Sequence, residues 1–195
     1  MPDEKTISSL MSPTESEALD TWAASIARNG NGDEWACEIG CYHGFSTAII
    51  AKYFRTWAID LGGDIFHGTA KAETIGTETS SIFRANMVEL GLIPDRVVQI
   101  CGTSDCLSLL PTPIFRFVLV DADHSYEWCS RDLINLARVT KDYGIMAIHD
   151  YLVERDTDQD YGVRDATDDF LRENPEWRVV SLVESLLFVS RNSCV

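Results

Sequence analysis

Glu38-Ile39-Gly40-Cys41-Tyr42-His43-Gly44-Phe45-Ser46-Thr47 stands between two apolar runs of different character. Before it, residues 35–39 are short and strand-like; after it, residues 46–54 have the compact apolar pattern of a helix. The unit therefore reads as strand, glycine turn and helix. Glycine at such a turn lets a ligand approach the backbone, and in open α/β sheets the ligand crevice lies at these strand ends. Gly40 and Gly44 are a weak signal alone, and an ordinary tight turn is the competing reading.

Working outward, further strand-like runs occur at 56–60, 96–100, 115–121 and 144–149. Helical patterns at 105–110, 126–139 and 163–172 alternate with them. This order implies βαβ units and a mostly parallel, buried sheet in a Rossmann-like, doubly wound α/β fold. Residues 177–183 and 186–190, separated by Glu184 and Ser185, predict a C-terminal antiparallel hairpin, which brings the sheet to seven strands. Upstream, Ala18, Leu19, Trp22, Ala23 and Ile26 predict an amphipathic helix over 12–28. The acidic stretch 150–161 and residues 61–79 read as loops over the site. With neither repeats nor linkers, one domain is expected over 1–195, a helical segment at 1–33 preceding a core at 34–195.

The net charge of −15 opposes any grip on nucleic acid or an anionic membrane surface, and reads as a solvated face. Six scattered cysteines without a CxxC pair predict reduced, buried thiols. No apolar run approaches the ~18 residues needed to span a bilayer, so a cytoplasmic protein without membrane partners is expected.

The turn lacks the third glycine of a dinucleotide fingerprint and the Gly-Lys-Ser/Thr ending of a P-loop, which disfavours nicotinamide and nucleoside triphosphates. Asp60, about 20 residues beyond Gly40, could accept both hydroxyls of a ribose; a turn-capping aspartate is the alternative. Asp121, Asp123, His124, His149 and Asp150 gather at the same sheet edge. Such a set could hold magnesium or manganese, or its acids could be satisfied by helix N-terminal amides.

Glu-Ile-Gly-x-x-x-Gly-x-Ser-Thr, followed by Ala-Ile-Asp, resembles the first two motifs of class I methyltransferases that use S-adenosylmethionine. Val-Asp-Ala-Asp-His-Ser-Tyr-Glu, with Gly-Ile-Met-Ala-Ile-His-Asp-Tyr and Gly-Val, resembles the small-molecule O-methyltransferases of family 24. That group includes macrocin O-methyltransferase and cephalosporin hydroxylase-like proteins, and the resemblance spans residues 35–170.

The resemblance implies S-adenosylmethionine on Glu38, Gly40, Tyr42, Gly44, Ser46, Asp60 and Asp121, with Gly102, Thr103 and Ser104 flanking the adenine. It implies a catalytic pair of Asp121 and His124, the latter at the position of a proposed base. It admits a magnesium ion on Asp121, His149 and Asp150, although relatives have an acid where His149 stands. The acceptor would be a small molecule bearing a hydroxyl, such as a sugar, natural product or phenol. Trp22, His67, Tyr151 and Tyr161 are candidate contacts to it, and a homo-oligomer is left open. The competing readings are a non-catalytic binder of the methyl donor or a nucleoside, and an NAD-dependent oxidoreductase.

Overall fold

The four residues after Trp35 in the first strand are all buried, without the alternation of a half-exposed strand, as expected for a sheet covered on both faces. The computed structural model describes residues 6–28, 33–62, 78–153 and 161–192. In chain order the elements are α1 (Pro13–Arg28), β1 (Trp35–Ile39), α2 (Phe45–Ala51), β2 (Arg55–Asp60), α3 (Glu78–Glu89) and β3 (Val97–Cys101). A 3-10 turn (Ser104–Leu109), β4 (Phe115–Val120), α4 (Tyr126–Val139), β5 (Thr140–Ile148), α5 (Val163–Glu173), β6 (Trp177–Val183) and β7 (Leu186–Arg191) complete them.

The seven strands form one sheet in the order β3-β2-β1-β4-β5-β7-β6. The first five strands run parallel, and β7 pairs antiparallel with both β5 and β6. This is the doubly wound fold with a terminal hairpin that the order of elements implies. The order reverses between β2-β1 and β4, which puts a ligand crevice at the C-terminal ends of β1, β2 and β4.

Alternation along β4 shows how the layers form. Phe117 and Leu119 join Leu19, Ile49, Ile50 and Phe188 beneath α1 and α2, whereas Val118 and Val120 join Leu133, Leu136, Val163 and Phe170 beneath α4 and α5. A third cluster holds α3, through Phe83 and Met87, against Cys41, Ala58 and Val97.

Three local features depart from the sequence expectations. The helix α3 was not anticipated, because only Thr79, Phe83 and Met87 of its twelve residues are buried and the apolar stripe is too thin to read. The fifth strand begins at Thr140 rather than 144, because its pairing passes from Phe115–Thr140 to Phe117–Ile145 through an irregularity. There Tyr143 takes φ 59°, and a Cβ on Gly144 would come within 2.5 Å of Thr140 Cγ2. Cys37, Cys41 and Cys129 are buried free thiols, but Cys101 on the sheet-edge strand β3 is exposed, against the expectation that all are buried.

His67 and Cys194, most of the expected 61–79 loop and positions 154–160 of the 150–161 loop lie outside the described residues. Among the described residues, no helix is long and apolar enough to cross a membrane.

Candidate active site

The glycine turn is held from beneath by a buried acid. The carboxyl group of Glu38, at 0% exposure, takes the hydroxyls of Ser46 and Thr47 from the first turn of α2. Burial pushes its pKa up to about 8, against those two donors and with help from Asp121 and Asp60. Glu38 therefore keeps its proton at neutral pH and ties β1 to α2 as a largely uncharged group.

Gly40 has φ +84°, and a Cβ there would stand 1.9 Å from the carbonyl oxygen of Asp121. Only glycine lets the ends of β1 and β4 meet this closely. The Gly40 amide donates to Ile59 O at 2.9 Å, and the Asp121 amide donates to Ile39 O at 2.9 Å. Gly44, at φ +93°, is packed by α3: a Cβ there would lie 2.6 Å from Met87 Cε. Tyr42 stacks on His43 with ring centroids 3.7 Å apart.

Asp60 fastens the turn from the end of β2. Its Oδ2 accepts the amides of Cys41 at 2.6 Å and Tyr42 at 3.0 Å, and its Oδ1 accepts the amide of Gly62 at 2.7 Å. This is the turn-capping arrangement left open above. A carboxylate has about four acceptor positions, so Asp60 retains one beyond those bonds. Beside it lies a shallow, open depression whose lining includes Tyr42, Asp60, Gly62, Phe83, Gln99 and Cys101. Gly102 borders the same edge, its amide donating to Asp60 O at 3.0 Å. Thr103 bonds to Asp105, whereas Ser104 is fully buried and accepts from Asn135 Nδ2 on α4 at 2.9 Å.

Across the crevice, Asp121 follows β4, and His149 and Asp150 follow β5. Asp150 has φ 59°, and the His149 amide donates to Val120 O at 3.0 Å. His124 Nε2 lies 2.7 Å from Asp150 Oδ2 and 4.0 Å from Asp121 Oδ1. His149 Nδ1 lies 3.2 Å from Asp121 Oδ1 and 3.3 Å from Asp150 Oδ1. Both nitrogens are buried, and they meet the carboxylates as charge contacts rather than as aligned hydrogen bonds.

Burial lowers the basicity of His149, but Asp121 and Asp150 outweigh it and push its pKa up to about 11. Burial likewise opposes the rise at His124, where Asp150 prevails and lifts the ring above its usual range. The Asp150 carboxyl group resists burial and is held well below the ordinary carboxylate range by the two histidines. The site is thus a set of interleaved acids and imidazoles.

Sequence reasoning missed Glu15. Ser12 and Glu15 form a capping box at the start of α1, in which the Glu15 amide donates to Ser12 Oγ at 3.1 Å and Glu15 Oε2 accepts the Ser12 amide at 3.0 Å. The capping box is legible in the sequence. Nothing local announces that the same carboxylate reaches His149 Nε2, 3.5 Å away.

Of the candidate acceptor contacts, Tyr161 stacks on the His124 ring at 5.1 Å, Tyr151 donates to Asp168 at 2.8 Å, and Trp22 packs on Phe188 in the core.

The side-chain atoms that could reach one metal ion belong to Asp121, His124 and Asp150, all within 4.8 Å of one another. Two carboxylates and an imidazole suit manganese or zinc better than magnesium, which prefers oxygen ligands. His149 stands outside that group of three, its Nδ1 between Asp121 and Asp150 and its Nε2 toward Glu15.

Among solved structures, a Corynebacterium glutamicum protein aligns over 98% of this chain and 86% of its own, with 20% identity and a TM-score of 0.73. An O-methyltransferase from Bacillus cereus, in complex with SAH, aligns over 94% and 82%, with 16% identity and a TM-score of 0.69. The O-methyltransferase TomG from Streptomyces achromogenes, involved in tomaymycin synthesis and in complex with SAM, aligns over 94% and 82%, with 14% identity and a TM-score of 0.68. These likenesses show the fold. No curated protein sequence matches the chain. The family described as "Methyltransferase domain" matches residues 37–151, more than half of the sequence and the span that carries the glycine turn, Asp60 and the acid–imidazole set. The chain belongs to that methyltransferase family.

Proposed function

We propose that the protein transfers the methyl group of S-adenosylmethionine to a hydroxyl oxygen of a small acceptor, with His124 as the base. The observation that carries this reading is the position of His124: its buried Nε2 lies beside Asp150 at the edge that also bears the glycine turn. Asp150, 2.7 Å from that nitrogen, raises the basicity of the ring, which suits it to take a proton from an acceptor hydroxyl.

The bound donor supplies an electrophilic methyl carbon on a sulfonium. The remaining steps belong to the chain. The methionine part lies beside Glu38, Gly40, Tyr42, Gly44 and Ser46, and Asp60 offers its remaining acceptor position to the ribose. Gly102 and Thr103 border the adenine, while Ser104 supports them from within. The acceptor enters a second hollow, of about 180 Å³, whose lining includes Asp150, Leu152, Val153, Tyr161 and Arg164.

As the acceptor oxygen bonds to the methyl carbon, the carbon–sulfur bond breaks, its electron pair stays on sulfur, and the acceptor proton passes to the His124 imidazole. Asp121 and Asp150 hold the imidazole and stabilise the cation that forms. Positioning of the two reactants supplies much of the acceleration. A divalent cation held by Asp121, His124 and Asp150 would occupy the His124 lone pair, so it would replace the proton transfer to His124 and lower the pKa of an acceptor hydroxyl itself.

Titration calorimetry with S-adenosylmethionine tests the reading. Heat of binding in the wild type that is lost in Asp60→Ala supports it. Absence of binding by the wild type in calorimetry and in equilibrium dialysis overturns it.

A further inference from the structure

Glu15 lies 134 positions before His149, yet its residue is only 4% exposed. Its Oε1 accepts the Ser185 amide at 3.0 Å and the Ser185 hydroxyl at 2.7 Å, in the turn between β6 and β7. Its Oε2 accepts the Ser12 amide at 3.0 Å and lies 3.5 Å from His149 Nε2. The opposite nitrogen of that ring, Nδ1, faces Asp121 and Asp150 at 3.2 and 3.3 Å.

An imidazole turned over about its Cβ–Cγ bond keeps its outline but exchanges nitrogens for carbons. Only one of the two orientations of His149 directs a nitrogen toward Glu15 and the other toward Asp121 and Asp150. The donors from Ser12 and Ser185 explain a glutamate that caps α1 and fastens the hairpin. They do not explain an acid directed at a histidine in a buried site, where an unpaired charge is costly.

We infer that Glu15 is a positioning residue: it selects the orientation of the His149 ring, and through that ring the placement of Asp121 and Asp150 around His124. This rests on the reading of His124 as the base. The N-terminal helix thereby becomes part of the site, although its residues touch neither reactant.

The experiment uses the full chain labelled with ¹⁵N in its histidine rings, with resonances assigned by single His→Gln variants. Glu15→Gln keeps the side chain's volume and an oxygen for Ser185, but directs an amide donor at His149 Nε2. The expected result is displaced ring signals for His149 and, through Asp150, for His124, with His43 in the glycine turn unchanged. Ser185→Ala, which removes a donor to the same carboxylate, should leave the histidine signals in place.

Unchanged His149 signals in a folded Glu15→Gln protein would overturn the inference. So would a displaced His149 with a stationary His124, which would confine Glu15 to a structural role. If Glu15→Gln fails to fold, Glu15→Asp, which withdraws the carboxylate by one methylene, gives the same readout with the same two outcomes. S-adenosylmethionine affinity measured on the same samples separates the two readings. Affinity within about twofold of wild type in Glu15→Gln is expected, whereas absent binding in the wild type would sink the methyltransferase proposal without touching the histidine result.

Discussion

The carbonyl oxygen of Asp121 occupies the space where a side chain on Gly40 would begin: an added Cβ would lie 1.9 Å from that oxygen and 2.5 Å from its carbon. The contact joins the two halves of the site, because Gly40 ends the cofactor turn and Asp121 opens the acid–imidazole set. Gly40→Ala must therefore push β1 and β4 apart, in addition to carrying an alanine at φ +84°. Strain of that kind costs about 1–3 kcal/mol before any clash is counted. We expect a lower thermal midpoint and loss of measurable S-adenosylmethionine binding, whereas Gly102→Ala, where a Cβ would meet nothing within 4 Å, should fold like the wild type. A Gly40→Ala protein with wild-type affinity would contradict the close approach.

Asp60 has two tasks, holding the amides of Cys41, Tyr42 and Gly62 and offering its remaining acceptor position. Hydrogen bonds to a charged group contribute about 1.5–3 kcal/mol each. Asp60→Asn keeps one acceptor oxygen and should weaken binding of the donor by about ten- to a hundredfold, with Asp60→Ala weaker still. Equilibrium dialysis with labelled donor would decide, and equal affinities across the three proteins would remove Asp60 from the site.

Much of this was legible in advance where the signal is local. The strand–turn–helix unit around Gly40 could be read because the glycines, the apolar runs and the acid at Asp60 lie within some two dozen positions, and the mostly parallel sheet with its terminal hairpin followed from alternation of elements. Features set by distant contacts could not be read. The burial of Ser104 depends on Asn135, and the irregular start of β5 depends on how Gly144 packs on Thr140 and Arg116. Glu15 looks like a helix cap because its partner, His149, follows β5, 134 positions away. His149, which the family pattern suggests as a metal ligand, sits between three carboxylates that only the folded chain assembles.

If His124 takes the acceptor proton, it must be neutral to do so. Burial disfavours its charged form, but Asp150 outweighs burial and raises the pKa above the usual 6.5. Methyl transfer to a phenolic acceptor should therefore increase with pH through a step above 6.5. Asp150→Asn should move that step to lower pH, and His124→Gln should slow transfer by about a hundredfold or more while leaving donor affinity intact. A rate independent of pH in the wild type, measured in single turnover, would exclude His124 as the base.

The buried His149 also makes stability depend on pH. Its folded pKa, about 11, lies above the ordinary 6.5, so the stabilisation it provides is complete below 6.5 and is lost as pH rises from there through 11. By linkage the slope reaches about 1.4 kcal/mol per pH unit at most. Asp150 gives the opposite limb: held below its ordinary value, its contribution is present above the normal carboxylate range and is lost on acidification. Thermal unfolding should accordingly show a midpoint that falls between pH 7 and pH 10.5. In His149→Gln, which keeps a polar side chain but cannot gain a proton, the fall should be shallower, so the difference between the two proteins isolates the imidazole from tyrosines and lysines that titrate in the same range. Parallel curves for the two proteins would mean that His149 is neutral in the folded chain, and the charge contacts with Glu15, Asp121 and Asp150 would then have to be read as hydrogen bonds to a single tautomer.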